Sequence, residues 1–137
     1  LQFVKAEAAL RAGDRGLALA AFRNGVAAHL DFVNARNLDN NQNATQISAA
    51  EKAAFLADTR VVPSDPARLT LTHVMTQKYI AQWGWGHNEL WMDMRRYNYT
   101  DMDPSGTRQV YPGFEIPTNL FGDNNGRVVE RIRPRFN

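Results

Sequence analysis

The sequence contains no cysteine, and only three of its sixteen basic residues are lysines. Without a thiol there is no cysteine nucleophile, no zinc–thiolate centre and no structural disulfide. No apolar run approaches the ~20 residues that cross a bilayer as a helix. A GxSxG nucleophile turn, a GxxxxGK[ST] phosphate loop and a GxGxxG fingerprint are also missing. Trp83-Gly84-Trp85-Gly86-His87 lacks the lysine and the preceding strand that a phosphate loop needs. The chain opens at Leu1 with no charged-then-apolar leader, as expected of a processed chain or a piece of a longer one.

The charge is unevenly placed. The formal net charge is +2, yet residues 127–137 alone carry +3, from four arginines against Glu130, so the rest sums to −1. Faces that bind nucleic acid spread their cations along a groove to neutralise many phosphates at once. One basic terminal segment does not, and no nucleic-acid partner is expected.

What is present suffices for one modest core: 44% of the 137 residues are apolar. Residues 1–33 read as a helical hairpin. Phe3, Ala6 and Leu10 recur at helical spacing in its first arm, and Asp14, between Gly13 and Gly16, caps the second. That arm carries the stripe Leu19, Phe22, Val26, Leu30 and Val33. Such a hairpin is the unit stacked in tetratricopeptide solenoids, although no second repeat at about 34 residues follows. Asn34 to Thr45 is a polar, asparagine-rich loop. Ser48 and Glu51 form a capping box for a short helix holding Ala54, Phe55 and Ala57. Asp65-Pro66 signals a helix from Ala67 to about Trp83, with Leu69, Thr72, Thr76, Ile80 and Trp83 sharing one face and His73 and Tyr79 beside it. A further helix runs from Asn88 to Tyr97. After Tyr99, prolines and glycines leave short extended pieces at most, and Arg127–Ile132 is expected to be a brief strand or irregular. The expected architecture is mainly α: a tetratricopeptide-like hairpin (1–33), packed helices (48–97) and a loop-rich closing segment (98–137).

The histidines His29, His73 and His87 show no metal-ligand spacing, so no metal and no cofactor are expected. Glu89 and Asp93, four apart on one helix, could serve acid–base chemistry, as in a glycoside hydrolase fragment. Asp93 also lies three positions before Arg96, an ion-pair spacing, and that use is favoured; no catalytic residue is expected. Arg95 is placed to cover the Trp91 ring. Six of the fourteen aromatics fall within residues 79–99. Tyr79, Trp83 and Trp91 are read as core, with Arg95 and Arg96 structural. Trp85, between glycines, and Tyr99, beyond the helix, are the candidates for exposed, ligand-binding rings.

The words Gln77-Lys-Tyr-Ile-Ala-Gln-Trp-Gly84 and Glu89-Leu-Trp-Met-Asp-Met-Arg-Arg-Tyr97, in this order, resemble the C-terminal part of the SusD/RagB family. The opening Phe3-Val-Lys-Ala-Glu-Ala-Ala-Leu-Arg-Ala-Gly-Asp14 is similar to that family's tetratricopeptide-type repeat, and Arg131-Ile-Arg-Pro-Arg-Phe-Asn137 to the start of its closing motif. Where members often follow the twin arginines with Thr-Gly-Tyr-Pro, this chain has Tyr97-Asn-Tyr-Thr100. The resemblance implies a SusD-like fold and residues 1–137 as a C-terminal fragment of a surface-exposed outer-membrane lipoprotein. It further implies capture of glycan or peptide, without catalysis, for import through a SusC-like TonB-dependent transporter. The lipidated cysteine and signal would lie outside this fragment, and the membrane would be met only through that anchor. The alternative from the residues alone is a tetratricopeptide-like scaffold for protein partners.

Overall fold

The computed structural model describes residues 1–39 and 44–128. Five helices, α1 (Gln2–Arg11), α2 (Arg15–Arg36), α3 (Ala49–Ala57), α4 (Leu71–Gln82) and α5 (His87–Arg96), form an all-α packed bundle. No β-strand occurs among the described residues; Met102 and Gln109 make an isolated antiparallel bridge.

Helices α1 and α2 are joined by three residues, and the Asp14 carboxylate accepts from the Leu17 N–H at 3.0 Å, capping α2. Phe3 meets Phe22 edge to face and lies across Gly25, so the two helices run antiparallel. A Cβ on Gly25 would stand 2.9–3.0 Å from the Phe3 ring, which is why this mid-helix position carries glycine. Ala6, Ala18, Ala21, Phe22 and Val26 fill the hairpin seam and meet Leu69, Val74, Met75 and Val110 in one core. Helix α2 continues past Val33 to Arg36, farther than the polar composition suggested. Asn34 is no loop residue: its side chain trades two 2.8 Å hydrogen bonds with the Ile47 backbone, fastening the approach to α3. Ser48 and Glu51 form the expected capping box there.

The fourth helix departs from expectation at its start. Asp65 and Pro66 do begin a helical turn, with the Asp65 carboxylate accepting from the Ala67 N–H at 2.8 Å, but it lasts one 3₁₀ turn, Pro66–Arg68. Leu69 then turns extended and is buried, and Arg15 donates to the Ala67 and Leu69 carbonyls. Helix α4 starts afresh at Leu71. Thr70 caps it, and His73 Nδ1 accepts from the Thr70 N–H at 3.2 Å, as a glutamate does in a capping box. Because Leu69 is buried outside the helix, it does not set the helical phase. The buried face is Leu71, Thr72, Val74, Met75 and Lys78, whereas Ile80 and Trp83 face outward.

Gly84, at φ +77°, provides the left-handed turn between α4 and α5. Past Tyr99 the chain is irregular, and it docks through Val110, Tyr111 and Asp103. The buried Asp103 carboxylate accepts from the Thr72 N–H at 2.7 Å and from the Thr72 hydroxyl, which ties the closing segment to the N-terminus of α4. Arg127 and Val128 are not in regular structure; the remainder of the expected 127–132 strand and the closing motif lie outside the described residues.

Candidate functional site

Five charged side chains alternate in sign across three helices: Lys78 (α4), Asp93 and Arg96 (α5), Glu7 and Arg11 (α1). Lys78 Nζ lies 2.6 Å from Asp93 Oδ2, and Arg96 holds Asp93 Oδ1 at 2.6 Å. Arg96 also grips both Glu7 oxygens, at 2.9 and 3.1 Å. The Tyr97 hydroxyl donates to Glu7 and accepts from Arg11 at 2.6 Å. Glu7, Asp93 and Lys78 are buried. Burial pushes the Glu7 carboxyl up, but hydrogen bonds from Arg96 and Tyr97 and the charges of Arg96 and Lys78 more than reverse it, and its pKa ends below the ordinary glutamate value. Burial, then the bond to Glu7, raise the Tyr97 hydroxyl. Asp93 is thus committed to two cations, while Glu89 is exposed. What the network does chemically is hold three helices in register with every charge partnered.

The aromatic residues divide differently from expectation. Arg95 covers the half-buried Trp91 at 4.9 Å, as the spacing implied. Tyr99, expected to be exposed, is only 8% exposed. It stacks on Phe114 at 5.6 Å, and its hydroxyl accepts from the Trp91 indole N–H at 3.0 Å. The cause is backbone: Asn98 and Tyr99 both adopt left-handed conformations, φ 43° and 64°, folding the ring back beneath α5. Trp83, expected in the core, is 68% exposed because of the phase of α4, and its ring leans on Tyr79 one turn before it. Trp85 is 64% exposed, as anticipated.

Trp85 reaches α2. It meets Phe32 edge to face at 5.4 Å, with the Arg36 guanidinium near both rings. These rings form one wall of an open groove of about 560 Å³ between the start of α1, the second half of α2 and the end of α4. Val4, Ala28, His29 and Gln82 line it further.

His29, His73 and His87 stand on three separate helices, and no three metal-binding side chains group together among the described residues. No family model, no curated protein and no solved structure matches this chain.

Sequence reasoning missed Phe32, Glu7 and Lys78. Glu7 had a signal, a carboxylate one position past Ala6 in an apolar stripe. So did Phe32, four positions before Arg36 on the same helix.

Proposed function

We propose that this chain is part of a SusD-like nutrient-capture protein, a surface-exposed outer-membrane lipoprotein that holds glycan or peptide for import through a SusC-like TonB-dependent transporter, without chemistry of its own. The observation that supports this reading is where the resemblance falls. Glu7 belongs to the opening repeat-like word, Lys78 to the glutamine–lysine–tyrosine word, and Asp93 and Arg96 to the twin-arginine word. These words, far apart in sequence, meet in a single ion network. Residues that spend their charges on one another suit a family whose shared words hold shape. Asn98 adds to this. It stands where the family often has glycine, and it has the positive φ that glycine adopts most readily. The α1–α2 hairpin, residues 2–36, is of the length of one tetratricopeptide unit.

Calorimetric titration of the full-length polypeptide carrying these residues, against glycan and peptide panels, tests the reading. Saturable binding to a member of either panel is expected. Silence across both contradicts it. A tetratricopeptide-like scaffold would instead give that silence together with capture of a protein partner through the hairpin.

A further inference from the structure

Two tryptophans stand two residues apart after α4, and their settings differ. Trp83 has its own helix for a neighbour, whereas Trp85 with Phe32 walls the groove described above. The side-chain cations at the groove each have a carboxylate partner. Lys78, which borders it, is paired with Asp93, and Arg36 beside the rings is paired with Asp39 at 3.3 Å. Among the described residues, no carboxylate side chain lines it. Burial lowers the His29 pKa, so its imidazole is neutral at pH 7, offering one donor and one acceptor. A flat exposed indole beside uncharged hydrogen-bonding groups matches a ring with an apolar C–H face and hydroxyls at its edge.

We propose that this groove binds an uncharged pyranose, its C–H face on the Trp85 indole and its hydroxyls toward His29. The proposal rests on the nutrient-capture reading and narrows it to neutral glycans over uronate or sulfated ones. An acidic sugar would meet no unpaired side-chain cation among the described residues at the groove.

The test is titration calorimetry with maltoheptaose, cellohexaose and xylohexaose as neutral probes and oligogalacturonate as the acidic one. Saturable binding of at least one neutral probe and weaker or absent binding of oligogalacturonate is expected. Trp85→Ala should weaken the neutral probe at least tenfold. Ala28→Arg, which sends a long charged side chain into the groove from an exposed helical position, should do the same. Trp83→Ala, removing an equally exposed indole outside the groove, should leave affinity within twofold. Circular dichroism of each variant should match the parent, since all three positions are exposed.

Neutral-glycan binding that survives both Trp85→Ala and Ala28→Arg overturns the groove assignment and leaves the capture reading standing. Tighter binding of oligogalacturonate overturns the charge argument. Binding of peptides alone likewise removes the sugar assignment without touching capture. A concentration-dependent dimer in sedimentation that Trp85→Ala abolishes would make this face an interface between copies and overturn the proposal. Silence of every glycan and peptide overturns both.

Discussion

Glu7 and Arg96 lie 89 residues apart and meet through two parallel hydrogen bonds, closing α1 onto α5. The planar guanidinium presents two N–H groups at the spacing of a carboxylate's oxygens, a fit a lysine ammonium does not reproduce. Asp93 lies against the same guanidinium and carries the connection on to Lys78, so α1, α4 and α5 share one electrostatic seam.

That seam gives stability a definite dependence on pH. Glu7 and Asp103 both have pKa values below the ordinary carboxylate range. For Asp103, burial acts upward and is outweighed by hydrogen bonds from Ser105 and Thr72. An unfolded chain therefore binds protons more readily than the folded one. The stability these groups supply is complete above their unfolded values, and it is lost as pH falls through the lower folded ones. His29 and His73, lowered by burial, add the same sign below their ordinary value of 6.5. Urea unfolding from pH 7 down to pH 3 should show a steady decline. The Glu7→Gln variant should start lower and decline less steeply, and parallel curves would show that Glu7 does not titrate as described.

Phe22 is completely buried at the crossing of α1 and α2, whereas Phe121 is 70% exposed. Phe22→Ala should cost about 3–5 kcal/mol in denaturant unfolding, from lost transfer energy and an incompletely collapsed cavity. Phe121→Ala should stay within about 0.5 kcal/mol.

Gly25→Ala sets two effects against each other. Alanine in mid-helix gains about 0.5–1 kcal/mol in propensity. The added methyl, however, would stand within 3.0 Å of the Phe3 ring, an overpacking that costs about 1–3 kcal/mol. A net loss of about 1 kcal/mol is expected. Pairing it with Phe3→Leu, which shortens the opposing side chain, should recover part of that loss.

Asp103→Ala removes the acceptor for two groups of Thr72 and for the Ser105 N–H. A loss of about 1–3 kcal/mol is expected. Hydrogen exchange should show the amides of Thr72 and Ser105 losing protection, while those in the α1–α2 seam keep it.

Features decided within a few residues were legible in the sequence. Asp14 and the Ser48–Glu51 box cap helices where composition placed them, because a cap needs only a side chain and the amides just beyond it. The all-α class and the irregular closing segment followed from periodicity and from its loss. The phase of α4 was not legible. It depends on Leu69 burying itself in an extended conformation, with Arg15, far upstream, satisfying the carbonyls this frees. Tyr99 misled for a similar reason, since a left-handed Asn98–Tyr99 pair carries no glycine to announce it. Trp85 was legible as an exposed ring because glycines flank it. That Phe32 would be its partner was not, because the contact joins α2 to the α4–α5 turn. The Asp93–Arg96 pair could be read from one helix; at Glu7 the apolar stripe marked a carboxylate beside the core but not the arginine, 89 residues on, that meets it.

The most direct measurement is a double-mutant cycle between Glu7 and Arg96, using Glu7→Gln, Arg96→Met and the pair, each unfolded in urea at pH 7. It asks whether the residues that carry the family resemblance hold the helices together. The expected coupling is about 0.5–3 kcal/mol, the range for partners within one ion-pair network. Effects that add to within about 0.5 kcal/mol would mean that the two side chains act independently, and that the seam joining α1 to α5 does not hold the fold.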